Sequence, residues 1–342
     1  MLESVLHRSL GVHRALDPVG VLPAAAHRLD ANPRLAPDEV RVAVQRIDLD
    51  AAGWQAGQQG RDGDAVRAEL LAGIDRRGKL DDPAFGTAGM LVGVVEEVGL
   101  DSPLGLAPGQ RVATLLPLAC VPLRVTDGLT SWDGTSRHVP TTGTAVLFAR
   151  SIAAVLPEDL PEEAALAVLG VCGAPATTER VVHRSGHRPA VAVLGAAGRS
   201  GCLSLAAARD ARAGRLVGVV GTEVEAAALR AARLADAVVV ADTTDPLAVA
   251  AAVGEPVDVT VVCVDAPGAE QAAVLATADG GTVVFFSPAP ASQAAAGAAE
   301  GMATDVTMLV GNGYTPGHAA LALDLYRRTP GVRALVDALV AR

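Results

Sequence analysis

Lysine is all but missing from this 342-residue chain: of its 28 basic residues, Lys79 is the single lysine. Arginine therefore serves wherever a generic positive charge is wanted. Lys79 marks a place that calls for an ammonium, which can lose its proton when desolvated, whereas a guanidinium effectively cannot. Aromatic residues are nearly as scarce, with two tryptophans, two tyrosines and four phenylalanines, so the cores must be built from Val, Ala and Leu. Cys120, Cys172, Cys202 and Cys263 stand alone, with no C-x-x-C pair and no His at ligand spacing. That excludes a disulfide framework and structural zinc, and leaves small buried residues. A formal charge of −10 lacks the clustered Lys and Arg that a nucleic-acid partner needs. Long apolar runs free of Gly, Asp or Pro are also missing, and the N-terminal MLESVLHRSLGVHRAL is no leader, so no membrane partner and a cytoplasmic location are expected.

What the chain does have is a glycine-punctuated stretch at 190–201, AVAVLGAAGRSG, followed by the alanine-rich CLSLAAARDARAG. Small and β-branched residues running into Gly195, Gly198 and Gly201 read as strand, tight turn and helix. Glycine is required there because the backbone turns sharply and approaches a pyrophosphate, whose charge sits on free helical N–H groups. Downstream, RLVGVV, AVVVA, VDVTVVCV, TVVFFS and VTMLVG alternate with segments of helical period, EVEAAALRAARL, PLAVAAAV and GAEQAAVLATA. With AVAVLG this predicts an α/β fold, a Rossmann-type doubly wound parallel sheet of six strands with the glycines at its first crossover.

Ahead of that region the pattern changes. Residues 1 to about 30, with two prolines and two Gly-Val steps, predict an extended segment without a helix. DEVRVAVQR alternates as a half-exposed strand, DAVRAELLAGIDRRG has helical spacing with Val66, Leu70 and Leu71, and MLVGVVEEVG and PGQRVATLL read as strands. These short strands jointed by Gly and Pro indicate a β-rich, partly open barrel. SIAAVLPEDLPEEAALAVLGVCGA then opens an apolar helix at Pro161 and two glutamates. The expected division is a β-rich domain at 1–155, completed by C-terminal helices at 314–342, and a dinucleotide-binding domain at 156–313, with the active site in the cleft.

This order of parts resembles the medium-chain dehydrogenase/reductase superfamily, whose β-rich domain is GroES-like. In that superfamily a Gly-His-Glu phrase normally carries a zinc ligand. Here the phrase is AGMLVGVV, with Gly89 and Met90 at those positions and Leu49 or a neighbour where a cysteine is usual, so the resemblance implies a site without metal. More specific phrases, GVHRALDPVGVLP, RGK followed by a proline and AGMLVG, VTVVCV, VVFFS and GNGYTPGHAALAL, resemble the L-erythro-3,5-diaminohexanoate dehydrogenases of lysine fermentation over nearly the whole chain. That resemblance implies NAD(P)-dependent oxidative deamination of (3S,5S)-3,5-diaminohexanoate to (S)-5-amino-3-oxohexanoate and ammonium. A protonated amine cannot release hydride from its carbon, so such a site must first remove a proton.

The nominated cofactor-binding residues are Gly195, Ala196, Ala197, Gly198, Arg199, Ser200 and Gly201 at the pyrophosphate, Thr222 after the second strand, and Cys263, Val264, Phe286, Ser287 and Asn312 at the carboxyl edge of the sheet. NAD and NADP both stay open, since no carboxylate ends the second strand itself; Glu223 would reach back to a ribose, or Thr222 and Arg230 would take a 2′-phosphate. Lys79, Asp82 and Tyr314 are the catalytic candidates, and Glu69, Phe85 and Thr315 the substrate-binding ones. The last strand is expected to pair with its copy in a homodimer. Two rival readings are a zinc-free quinone or enoyl reductase, and a nicotinamide-binding sensor without turnover.

Overall fold

The computed structural model describes residues 2–186, 188–286 and 292–341. The chain divides into two compact units, residues 1–158 and 159–342.

In the first unit, six antiparallel strands form one sheet: β3 (Val40–Leu49), β4 (Gly89–Val98), β5 (Arg111–Thr114), β6 (Leu123–Val125), β7 (His138–Leu147) and β8 (Ala153–Val155). A small pair, β1 (Ala15–Asp17) with β2 (Arg28–Leu29), precedes it. The spatial order β6-β7-β3-β4-β5-β8 leaves the terminal strands unpaired with each other, so the barrel is open. Val40, Val42 and Val44 face the core, yet so do Ile47 and Leu49. A bulge between Val44 and Arg46 in the pairing of β3 with both β4 and β7 reconciles the two sets, because one extra residue reverses which face each side chain takes. Arg46 and Asp48 are thereby turned away from that core.

Three helices accompany the sheet: α1 (Leu2–Ser9), α2 (Ala51–Gln58) and α3 (Gly63–Arg77). The helix α1 corrects the expectation of a wholly extended N-terminus; its residues precede the first glycine, and the Gly and Pro that break helices come later. Asp62 caps α3 by accepting from the Ala65 amide, and Val66, Leu70 and Ile74 are its buried stripe, with Leu71 only half-buried.

The N-terminal segment is tied to β3 through Glu39, which is fully buried. Its carboxylate accepts from Arg14 Nε at 2.7 Å and Nη2 at 2.5 Å, from the Ala36 amide at 2.7 Å, and meets His13 Nε2 at 2.9 Å. Arg14 spends its remaining donors on the carbonyls of Asp30, Asn32 and Arg34.

The second unit carries a parallel sheet of β9 (Ala190–Leu194), β10 (Arg215–Val220), β11 (Ala237–Val240), β12 (Val257–Val262), β13 (Thr277–Phe285) and β14 (Val306–Val310), in the order β11-β10-β9-β12-β13-β14. Its helices are α4 (Glu162–Leu169), α5 (Gly173–Arg184), α6 (Arg199–Asp210), α7 (Glu223–Ala232), α8 (Pro246–Val253), α9 (Ala269–Leu275), α10 (Ser292–Met302), α11 (His318–Arg328) and α12 (Pro330–Val340). The strand order reverses direction between β9 and β12, the switch point at which doubly wound sheets bind ligands.

The C-terminal helices are a second correction. They pack on α4, α5, α6 and α7 and belong to the second unit, so residues 314–342 do not complete the first. Arg327 forms a bidentate pair with Asp159, and Tyr326 donates to Asp337 at 2.6 Å, which ties α11 to the start of the unit and to α12. Among the described residues, no single helix is long and apolar enough to cross a membrane.

Burial alone pushes the Glu39 carboxyl up, but the hydrogen bonds from His13, Arg14 and Ala36 outweigh it and hold the group at about 2. The folded value lies below an unfolded value near 4.5, so this stabilisation is fully present above that pH and is lost as pH falls toward 2. Glu39→Gln is expected to cost about 3 kcal/mol at neutral pH and to flatten the acid side of the stability curve, as read by urea unfolding from pH 7 to 2.

Candidate dinucleotide cradle

The turn after β9 is built by glycines with different tasks. Gly195 has φ +79°, and a Cβ there would lie 2.7 Å from Val264 Cγ1 and 2.9 Å from the Cys263 carbonyl oxygen. Gly201, in the first turn of α6, would put a Cβ 2.2 Å from the Gly195 oxygen, so α6 rests directly on the turn. Gly198 is different. It caps α6 with ordinary extended dihedrals and no side-chain bond, and a Cβ there would meet only the Gly195 oxygen, at 3.3 Å. The N-terminus of this twelve-residue helix, with no side-chain cap and first amides that have no intrahelical acceptor, fits a dinucleotide pyrophosphate.

Arg199 and Ser200 are half-buried at this helix start. Ala196 is fully buried, about 3.1 Å from where a Gly218 Cβ would stand, and Ala197 is largely buried. Their methyl groups pack and offer a ligand nothing. The amides of Gly195 and Ala196 both donate to the Val219 carbonyl, at 3.0 and 3.1 Å, fixing the turn to β10. Beyond β10, the Thr222 hydroxyl caps α7 by accepting from the Glu225 amide at 3.2 Å. In return Glu225 Oε2 accepts from the Gly221 and Thr222 amides and the Thr222 hydroxyl, each at 3.1 Å. The carboxylate at the end of β10 is thus Glu225, which sequence spacing missed. Glu223 pairs instead with Arg230 at 3.4 Å, and Arg230 also donates to the Val238 carbonyl.

At the carboxyl ends of β12 and β13, the Cys263 amide donates to the Leu194 carbonyl and the Phe286 amide to that of Val262. Burial pushes the Cys263 thiol up to about 12, so it stays protonated; it lies 4.0 Å from the Ser204 hydroxyl. Ser287 lies outside the described residues. The Phe286 ring covers Gly311, where a Cβ would come within 2.7 Å of it. From there the loop after β14 runs through Asn312, whose side chain accepts from the Tyr314 amide at 3.2 Å. Gly313 touches Gly173 at the start of α5.

Buried polar atoms collect on these two elements. Thr315 Oγ1, His318 Nε2 and, one turn into α5, Thr177 Oγ1 have no hydrogen-bond partner among the described residues. Burial lowers the His318 pKa, which favours the neutral ring, and Tyr314 meets that ring edge-on at 5.2 Å while staying 44% exposed. Buried groups left unpaired are costly unless a ligand or water meets them. Thr315 was nominated from sequence; His318 and Thr177 were not, since an isolated His and a helical Thr carry no pattern.

Four residues nominated in the first unit have structural tasks there. Lys79 offers no free ammonium: it is fully buried, donates to the Pro23 carbonyl at 2.9 Å and the Ala24 carbonyl at 3.5 Å, and pairs with Asp81 at 3.0 Å. Two carbonyls and one carboxylate around Nζ suit a compact ammonium. Asp82 closes the 82–86 loop by backbone bonds with Gly86 and by accepting from the Ala84 amide at 2.8 Å. Phe85 is fully buried in the core against Gly57. Glu69 is a surface carboxylate paired with Arg61.

Gly89 and Met90 stand where the resemblance sets the Gly-His-Glu phrase. Gly89 has φ +144°, and a Cβ would lie 2.3 Å from the Asp48 carbonyl oxygen, so no ligand side chain fits. Among the described residues there is no group of three His, Cys, Asp or Glu that could hold a metal ion. Beside Gly89, one pair escaped the sequence reading: Asp48, 5% exposed, meets His138 Nδ1 at 2.7 Å and Arg46 at 2.9 Å.

Two outcomes follow from these contacts. Gly198→Ala should still fold, with a small loss of Tm from the 3.3 Å approach to the Gly195 oxygen, yet bind a nicotinamide dinucleotide at least ~10-fold more weakly, about 1.4 kcal/mol, by fluorescence titration of the reduced cofactor. Lys79→Met should leave that affinity intact while lowering stability by about 2 kcal/mol in urea, because it unpairs buried carbonyls and Asp81.

Comparison with known proteins gives this geometry its family. Residues 13–157 match the family described as L-erythro-3,5-diaminohexanoate dehydrogenase N-terminal domain. The chain is 37% identical over 340 residues to the L-erythro-3,5-diaminohexanoate dehydrogenase of Fusobacterium nucleatum subsp. nucleatum, covering 96% of this chain and 97% of that one. It is 36% identical over 338 residues to the enzyme of that name from Acetoanaerobium sticklandii, with the same coverages. Among solved structures, the crystal structure of AibC is similar in fold, with a TM-score of 0.54 at 23% identity over 88% of this chain and 84% of that chain. With both units spanned and a dinucleotide cradle at the switch point, the chain belongs to the L-erythro-3,5-diaminohexanoate dehydrogenase family.

Proposed function

We propose that this protein catalyses the nicotinamide-dependent oxidative deamination of (3S,5S)-3,5-diaminohexanoate to (S)-5-amino-3-oxohexanoate and ammonium, a step of lysine fermentation, as a cytoplasmic enzyme. The observation that carries the reading is the 37% identity over 96% of the chain to a dehydrogenase of that substrate, joined to a cradle that fits the cofactor's pyrophosphate.

Oxidised nicotinamide supplies the hydride acceptor. The chain's own residues do the rest. The amides at the start of α6 hold the pyrophosphate, with Gly198 leaving room for it. Thr177, Thr315 and His318 offer unspent polar atoms to a polar group of substrate or cofactor. The substrate ammonium must lose a proton before its carbon can release hydride, and water then hydrolyses the resulting iminium.

NAD is the favoured acceptor. The Glu225 carboxylate stands at the loop after β10, where it can accept from a ribose hydroxyl and repels a 2′-phosphate. We further propose a homodimer through β14, which has a partner strand on one side only and leaves Val310 67% exposed.

The test follows reduced nicotinamide and ammonium together after mixing the protein with 3,5-diaminohexanoate and each cofactor. Equimolar release is expected, with kcat/KM at least ~10-fold higher for NAD than for NADP. Glu225→Gln, which keeps the capping acceptor, should narrow that ratio. Cofactor reduction with a quinol or saturated acyl substrate and no ammonium would identify a quinone or enoyl reductase, and binding without reduction a sensor. Sedimentation at micromolar concentration should give a dimer; a monomer alone refutes that part.

A further inference from the structure

The first unit holds a cavity of about 490 Å³, within the size range of small-molecule sites. Its floor is aliphatic: Leu29 of β2, Ile74 of α3 and Leu123 of β6 line it, each at most 2% exposed. Gly78 makes that floor possible. It ends α3 in the left-handed region at φ +63°, and a Cβ there would lie 2.2 Å from the Leu29 carbonyl oxygen, so the helix end lies directly against β2. The same cavity is lined by four charged residues, Arg28 and Arg124 of one sign and Asp30 and Asp75 of the other.

These four charges are not paired with one another. The side chains of Arg28, Arg124 and Asp75 have no hydrogen bond or ion pair among the described residues, whereas Arg41, Arg61, Arg67 and Arg77 of the same unit each hold an acid. Asp30 is fixed by its neighbours: its carbonyl accepts from Arg14 Nη1 at 3.1 Å, its amide donates to the Arg14 carbonyl at 2.8 Å, and its Oδ1 accepts from the Asn32 amide at 3.0 Å. That leaves Oδ2 for a ligand. Asp75 stands in the last turn of α3, at the negative end of the helix dipole, which favours a cation. A simple anion entering the cavity would meet the two aspartates, and a simple cation the two arginines. A molecule that carries both signs can set each against its opposite, with carboxylate on guanidinium and its hydrocarbon part on the aliphatic floor.

We propose that this cavity binds a small aliphatic amino acid as its zwitterion, the carboxylate on Arg28 and Arg124, the ammonium on Asp30 and Asp75, and the side chain on Leu29, Ile74 and Leu123. Every part of the site belongs to the first unit, so it depends neither on the dinucleotide cradle nor on the deamination reading. Because the lining comes from β2, α3 and β6, a bound amino acid ties these elements together and stabilises the folded unit.

The test titrates L-norleucine into the full-length, cofactor-free protein by calorimetry, beside hexanoate, which lacks its ammonium, and pentylamine, which lacks its carboxylate. Norleucine should bind once per chain and raise Tm with concentration, and the two singly charged probes should bind at least ~10-fold more weakly. Arg28→Gln, Arg124→Gln and Asp75→Asn alter exposed side chains, and each should weaken norleucine at least ~10-fold while reduced nicotinamide binds as to the parent. Arg124→Lys, which keeps the charge, should recover part of the affinity. Norleucine that gives no binding heat overturns the proposal, and so does binding that all three variants leave unchanged. Hexanoate or pentylamine binding as tightly as norleucine overturns it too, since one charge would then suffice.

Discussion

The contact between Gly201 and the Gly195 carbonyl sets the geometry of the second unit. A backbone oxygen stands 2.2 Å from where a side chain would begin, so the first turn of α6 is pressed onto the end of β9. Everything a dinucleotide needs follows from that approach. The helix N-terminus arrives at the switch point of the sheet, with no side-chain cap on its first amides and no side chain at Gly198. The bonds of Gly195 and Ala196 to Val219 lock the same turn to β10, which brings Glu225 and its capping box to the neighbouring strand end.

In the first unit the equivalent constraint is the register shift of β3 between Val44 and Arg46. Hydrophobic positions 40, 42 and 44 and positions 47 and 49 have opposite parity, and the bulge lets both sets enter a single core. Its consequence is chemical as well as structural, since the displaced polar residues, Arg46 and Asp48, meet His138 across the strand pair. The two buried charge networks differ in kind. Arg14, Glu39 and Lys79 spend their donors and acceptors on backbone and on each other's neighbours, which ties down the N-terminal segment. Asp48 and His138 leave a nitrogen unspent.

Strands and helices with a long, clean period were legible from residues alone: all six strands of the parallel sheet, the helix after Pro161 and the glycine turn. Local chemistry determines such features, through side-chain period, glycine dihedrals and helix-start residues. The site was legible only where it is made of backbone. Lys79, Asp82 and Phe85 drew attention by rarity and by neighbouring a loop, and all three proved to be buried or turn-forming. His318, Thr177 and His138 were passed over because each becomes notable only through what it does or does not touch.

Composition and pattern by themselves determined the fold class, the dinucleotide turn and, through shared phrases, the family, because these depend on residues close together in sequence or on many positions at once. Only the tertiary structure decided which unit holds residues 314–342, which carboxylate stands after β10, and that the lone lysine is a buried tie. The lysine's burial and the placing of the last helices depend on contacts between residues far apart in sequence, as Lys79 with Pro23, and a solvated and a caged side chain are written with the same letter; Glu225 is set by a local capping box with Thr222.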